Sequence, residues 1–195
     1  MSHFLPNLLH LNSLALEKCK ILITGPPGVG KTTIIKTVHD KLKQTAKDSK
    51  AIIKGFYTAE IREAGDRVGF KIDGFSTNQE GIIAHTSLID SKISVGKYRV
   101  DVKAFEKVAL PEMKDGTIYV IDEIGKMECF SSAFVKRMDE LLESEDVAVV
   151  ASIGQKGEGF IQEAKKKSGV KLIEVSKSNR NTVPENIIKL LTPYL

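Results

Sequence analysis

The readable pattern begins at residues 20–24, Lys-Ile-Leu-Ile-Thr, a short apolar run stopped by Gly25. A run apolar on both faces reads as a buried strand of the kind found in parallel sheets. Residues 31–47 follow, with Ile34, Ile35, Val38 and Leu42 set among Lys, Asp and Gln. That spacing draws one apolar stripe along a helix. Strand, glycine loop and helix form the opening unit of an α/β fold. Residues 51–57 (Ala-Ile-Ile-Lys-Gly-Phe-Tyr) read as a second strand.

From 58 to 102 the texture changes. Apolar and polar residues alternate, as in 67–72 and 98–102, and glycines at 65, 69, 74, 81 and 96 punctuate them. This predicts short, half-exposed strands and hairpins, a β-rich excursion on the same domain. Residues 103–110 read as a helix ending near Pro111. Ile118-Tyr119-Val120-Ile121 is a continuous apolar strand running into Asp122-Glu123. Residues 131–143 carry Phe134, Val135, Met138, Leu141 and Leu142 at helical spacing, with Ser131 or Ser132 as the cap. A buried strand at 147–152, a helix at 158–167 and a late strand at 171–175 come next. Pro184 opens a last helix. The expected architecture is one α/β domain over 20–195, preceded by an arm at 1–19. A mostly parallel central sheet lies between helices, with the β-hairpin-rich insertion at 58–102.

Composition narrows the class. The 195 residues are 42% apolar and 28% charged, enough for one domain with its own core, which excludes a disordered or fibrous chain. Two cysteines, Cys19 and Cys129, make no disulfide framework, and a reducing compartment fits. The net charge of +4 tilts mildly toward an anionic ligand. The basic residues are 24 Lys and five Arg, a solvated surface rather than the Arg-rich face that reads nucleic acid. No stretch approaches the roughly 18–20 apolar residues of a membrane span. The apolar patches before residue 18 have no basic leading segment, and Pro6, Asn7, His10 and Asn12 interrupt them. They read as an arm or short helix packing on the domain, not a secretory signal. A cytoplasmic monomer with no membrane partner is the expectation.

Residues 25–32 read Gly-Pro-Pro-Gly-Val-Gly-Lys-Thr, the GxxxxGK[ST] pattern of a phosphate-binding loop. It follows a predicted strand and opens a predicted helix, the context this motif requires. Gly25, Gly28 and Gly30 let the backbone curl so that N–H groups point inward at phosphate oxygens, and Pro26, Pro27, Val29 and Thr33 complete the segment. The helix dipole puts its positive end at the same place. Lys31 can reach the β- and γ-phosphates, and Thr32 can ligate Mg²⁺ between them.

Asp122 emerges at the C-terminal end of its strand, where ligands bind in open α/β sheets. It is the second candidate Mg²⁺ ligand, and Glu123 the candidate base that activates water. The long gap between the two motifs leaves room for a strand between the loop strand and the Asp122 strand. No Asn-Lys-x-Asp guanine-reading motif is present; Ser176-Lys177-Ser178-Asn179 comes nearest and does not match. Ser152 ends the next buried strand and is a candidate γ-phosphate sensor. Arg62, Arg67, Arg99 and Arg180 are candidates to stabilise developing charge, with Lys126 and Lys156 behind them. Asn179 and Arg180 stand just after the last strand, where a base can stack on a guanidinium. The four histidines show no metal-ligand spacing, and Cys129 reads as a packed residue.

Several strings carry a family resemblance. They are Gly-Pro-Pro-Gly-Val-Gly-Lys-Thr-Thr (25–33), Gly-Phe-Tyr-Thr-Ala-Glu-Ile-Arg (55–62), Gly-Asp-Arg-Val-Gly-Phe (65–70), Val-Gly-Lys-Tyr-Arg-Val-Asp (95–101), Ile-Asp-Glu-Ile-Gly-Lys-Met-Glu (121–128) and Asn179-Arg180. Over residues 20–190 the chain resembles the THEP-type nucleoside-triphosphatases. The resemblance implies a three-layer, RecA-like P-loop NTPase fold and slow Mg²⁺-dependent hydrolysis of several NTPs, with loose base selectivity. It also implies nucleotide contacts from Gly25 to Thr32 and around 118–125. Two other readings compete. One is a nucleotide or RNA kinase whose acceptor binds the 58–102 excursion, although no Arg-rich lid is visible. The other is a non-catalytic NTP-dependent binding module, against which Lys31, Asp122 and Glu123 argue.

Overall fold

The computed structural model of the protein describes residues 19–88 and 90–195. The expected arm at 1–19 lies outside the described residues, apart from Cys19. The elements are β1 (Lys20–Thr24), α1 (Lys31–Thr45), β2 (Ile53–Glu63), β3 (Asp66–Gly74), β4 (Glu80–His85), β5 (Ser94–Val95) and β6 (Tyr98–Val100), followed by α2 (Val102–Glu112), β7 (Ile118–Ile124), α3 (Ser132–Glu143), β8 (Ala148–Ile153), α4 (Phe160–Lys166), β9 (Val170–Glu174) and α5 (Val183–Leu191). The strands form one sheet in the order β5-β6-β4-β3-β2-β7-β8-β1-β9. Neighbours from β2 to β9 run parallel. Neighbours from β2 to β5 run antiparallel. β8 lies between β1 and β7, so a strand does separate the loop strand from the Asp122 strand.

Helices cover both faces of the central strands β1, β7 and β8, which is why these are apolar without alternation. Ile21, Ile23, Val120 and Val150 pack with Ile34, Ile35 and Val38 of α1 and with Ile187 of α5. Leu22, Tyr119, Ile121 and Val149 pack with Phe105 of α2, Phe134 and Met138 of α3 and Ile161 of α4. Phe56, Phe105 and Phe134 meet edge to face, with centroids 5.2–6.1 Å apart. Each such pair adds about 0.5–1.5 kcal/mol beyond burial.

The excursion is a continuation of this sheet. Ile53 to Phe56 of β2 pair with Ile118 to Ile121 of β7, and Phe56 to Glu63 pair with β3. The strand therefore runs past the expected end at 57. Beyond that point it leaves the helix layers, one face opens to solvent, and the pattern turns to alternation. Gly55 sits at the junction with φ +136°, and a Cβ there would lie 1.8 Å from the Val120 carbonyl oxygen, so only glycine fits.

α2 runs one residue past its expected end at Pro111, to Glu112. The buried Glu112 carboxylate accepts from the N–H groups of Gly55 (3.3 Å), Ser76 (2.9 Å) and Thr77 (2.6 Å) and from the Ser76 hydroxyl (2.8 Å). Those four bonds fix the last helical turn despite the missing proline N–H and tie α2 to the β3–β4 turn. Ser131 caps α3 by accepting from the Phe134 N–H. Among the described residues, no helix is long and apolar enough to cross a membrane.

Candidate active site

The loop from Gly25 to Gly30 joins β1 to α1. The Val29 N–H donates to the Pro26 carbonyl at 3.2 Å, and the Val29 side chain is buried in the α1 layer, so the turn is anchored from below. Gly25 has φ +154°, and a Cβ on it would stand 2.5 Å from the Val175 carbonyl oxygen. No side chain caps α1, so its first N–H groups remain open to an anion. Lys31 arches back over the loop, its Nζ donating to the Gly25 carbonyl at 3.2 Å.

Asp122 and Glu123 stand at the C-terminal end of β7. In a regular strand, neighbours point to opposite faces. Here Ile121 pairs with Ala151 and Ile124 with Ile153, so Asp122 and Glu123 together oppose the single residue Ser152. The extra residue is a bulge, a device that re-aims side chains beside sites. The peptide bond joining the two acids is cis. Asp122 turns toward α1 and accepts from the Thr32 hydroxyl at 2.6 Å. Its other oxygen accepts from the buried Ser152 hydroxyl. Glu123 opens into the same cleft as Gly25, Lys31 and Thr32.

Three carboxyl groups gather here. Burial raises the Asp122 pKa, while hydrogen bonds from Ser152 and Thr32, the Lys31 charge and the Thr58 N–H oppose the rise. Burial and then the charge of Asp122 raise the Glu123 pKa, with Lys31 opposing. The third is Glu128. Its carboxyl and that of Glu123 both lie against Gly125, within 2.6 and 2.8 Å of where a Cβ would stand. Burial, reinforced by the Glu123 charge, pushes Glu128 up to about 8. Glu128 is therefore neutral at neutral pH, beside a carboxylate. Sequence reasoning did not single it out, because a glutamate on a short turn shows no spacing signal before the fold brings it back to β7.

The remaining candidates separate. Ser152 is fully buried and donates to Asp122, so it supports the carboxylate instead of meeting a phosphate. Asn179 spends its amide on its own loop, accepting from the Ser176 N–H and donating to the Glu174 carbonyl, both at 2.8 Å. Arg180 is exposed and leans on the back of the phosphate loop, 3.5 Å from the Val29 carbonyl. Arg62 pairs with Glu60, and Arg99 donates to the Ser91 carbonyl. Arg67, Lys126 and Lys156 line the cleft, as do Gly28, Gly30, Pro27 and Thr33. Lys36, Tyr57 and Thr58 also line it; Tyr57 and Thr58 belong to the resemblance string at 55–62, and Lys36 belongs to none. Burial pushes the Cys129 thiol up to about 12, which suits a packed, unreactive residue.

The donor set suits a hard cation. Thr32 offers a hydroxyl and Asp122 a carboxylate oxygen 2.6 Å apart, and Mg²⁺ prefers oxygen ligands from one or two side chains plus phosphates. Among the described residues, no group of three or more His, Cys, Asp and Glu could hold a metal unaided. The fit is to a cation that arrives with phosphates.

Known proteins resemble this chain. Residues 20–188 match the family model described as NTPase. The "Nucleoside-triphosphatase THEP1" of Thermotoga petrophila is 38% identical over 179 residues, which cover 88% of this chain and 92% of the relative. The human "Cancer-related nucleoside-triphosphatase" is 34% identical over 183 residues, covering 86% and 94%. The crystal structure of THEP1 from Aquifex aeolicus superposes with a TM-score of 0.75 at 35% identity, over 88% of this chain and 98% of that one. The solution structure of the human protein gives 0.75 at 33% identity, over 90% and 98%. The fold is that of the P-loop NTPases, and with the loop at 25–32, the carboxylates after β7 and these matches together, the chain belongs to the NTPase family.

Proposed function

We propose that this chain is a Mg²⁺-dependent nucleoside-triphosphatase that cleaves NTPs to the diphosphate and phosphate. The observation that carries this reading is that Lys31, Thr32 and Glu123 line one cleft, with Asp122 buried behind it and hydrogen-bonded to Thr32. The loop N–H groups and Lys31 bind the β- and γ-phosphates. Thr32 and Asp122 hold Mg²⁺, which offsets charge on the phosphates when bound. Glu123 takes the proton of a water that attacks the γ-phosphorus in line, as the bridge to the β-phosphate breaks. Neutral Glu128 spares Glu123 a second anionic neighbour.

Base selectivity is loose, because the groups after β9 do not read base edges. The Asn179 amide is committed to its loop, and Arg180 offers only a flat guanidinium for stacking. Turnover is slow, since the arginine that lines the cleft, Arg67, is tied to Glu60 and Tyr98. The free thiols Cys19 and Cys129 fit a cytoplasmic location. The test is phosphate release from ATP, GTP, CTP and UTP with Mg²⁺, beside Lys31→Ala and Glu123→Gln. Wild type releases phosphate from several NTPs, and Lys31→Ala does not. Glu123→Gln still binds nucleotide and loses about 10²–10⁴ of the rate. Full turnover in Glu123→Gln removes Glu123 from the role of base.

A further inference from the structure

We propose that the end of the cleft beneath the β2–β6 extension is a second ligand site, for a nucleoside monophosphate that accepts the γ-phosphoryl group. The proposal rests on the hydrolase reading, since water and the monophosphate would compete for one γ-phosphorus.

Three observations carry it. The first is direction. Along the sheet, the phosphate loop follows β1, Glu123 ends β7, and Glu60 and Tyr98 stand on β2 and β6 beyond it. A triphosphate on the loop must turn its reacting end toward Glu123. Its nucleoside then leads away, toward Arg180 after β9. The extension therefore lies past the γ-phosphate and stays open when NTP is bound. The second is size. The cleft measures ≈ 1140 Å³, above the roughly 300–1,000 Å³ that holds one small-molecule ligand.

The third is chemistry. The Arg67 guanidinium lies over the rings of Phe70 (5.2 Å) and Tyr98 (5.8 Å). Its Nε donates to the Tyr98 hydroxyl at 3.0 Å and its Nη1 to Glu60 at 2.7 Å, so the plane is fixed before any ligand arrives. A fixed guanidinium plane beside aromatic rings is a platform for a planar base. On the Glu123 side of this platform the cleft is lined by Lys126, whose neighbour Met127 packs against the Tyr98 cluster and which forms no ion pair among the described residues. That free cation attracts a phosphate. A base platform with a cation on the γ-phosphate side matches a phosphorylated nucleoside.

The step balances without an added reactant. A monophosphate oxygen forms a bond to the γ-phosphorus, the bridge to the β-phosphate breaks, and two nucleoside diphosphates result. The attacking oxygen is already ionised at neutral pH, so transfer needs no base and hydrolysis does. Glu123→Gln therefore separates the two.

The experiment incubates the full chain with Mg²⁺, γ-labelled ATP and, in turn, AMP, GMP, CMP and UMP. Label is counted in diphosphate and in free phosphate, with Lys31→Ala as background. The expected result is label in at least one diphosphate, saturating with monophosphate. The ratio of diphosphate to free phosphate rises in Glu123→Gln. In Arg67→Ala the KM for monophosphate rises about tenfold while kcat for transfer changes little. Label in free phosphate alone, at a rate indifferent to monophosphate, overturns the acceptor site and leaves the hydrolase reading standing. Inhibition of phosphate release by monophosphate without labelled diphosphate also overturns the acceptor role. No label moved into either product overturns both readings.

Discussion

Glu128→Gln tests the electrostatics of the site through stability, independently of turnover. Glu128 is 6% exposed, and burial with the Glu123 charge lifts its pKa from 4.5 to about 8. An acid whose folded pKa is raised binds a proton in the native state that the unfolded state releases. Stability then falls as pH rises from 4.5 to about 8. From 4.5 to neutrality is about 2.5 pH units at about 1.36 kcal/mol each, so the wild-type penalty at pH 7 is about 3 kcal/mol. The introduced amide cannot ionise. Its oxygen still accepts from the Gly125 N–H that the carboxylate uses, and its NH₂ faces the Glu123 carboxylate. The assay is urea unfolding of both proteins between about pH 4.5 and 8. Wild type and variant differ least at the acid end, and the variant gains about 3 kcal/mol relative to wild type by neutrality. A difference that stays constant across this range would refute the reasoning, because it would mean that Glu128 titrates in the fold as it does in the unfolded chain.

Two further outcomes follow from the same geometry. Ser152→Ala removes a donor that opposes the effect of burial on Asp122, so the acid limb of the pH–rate profile for phosphate release moves to higher pH. Glu112→Ala orphans four donors and costs about 3 kcal/mol or more in urea unfolding. Burial raises the Glu112 pKa, but the Thr77 and Ser76 hydrogen bonds outweigh it and hold the group below its ordinary 4.5. That stabilisation is present above 4.5 and lost as pH falls through the lower folded value, so wild type loses stability there and the variant does not.

The loop at 25–32 is legible in the chain because its requirements are local. A buried strand, glycines for an inward-curling backbone, and a lysine and hydroxyl at a helix start all lie within a dozen residues. The strands β1, β7 and β8 are legible for a related reason: burial on both faces leaves an unbroken apolar run. The end of β2 is not, because its pattern changes where the helix layers stop and not where the strand stops. The expected end of α2 near Pro111 falls within one residue of the observed end at Glu112; the extra residue is held by four hydrogen bonds to Glu112 from residues 35 to 57 positions away in sequence.

Within the site, identity came from the chain and geometry from the fold. Asp122 and Glu123 are visible as acids at a strand end, but strand alternation would send them to opposite faces. Only the pairing of β7 with β8 shows the bulge that turns both toward the loop. Ser152 looks like a phosphate sensor until β8 sets it beside Asp122. Arg67 is one of four equivalent arginines until β2 and β6 pin it to Glu60 and Tyr98 at the cleft wall. Glu128 becomes part of the site only when a short turn folds its carboxyl against Gly125. Propensity and motif act over a few neighbouring residues, whereas side-chain direction and pKa depend on strand register and burial, which arise only when distant segments pack together.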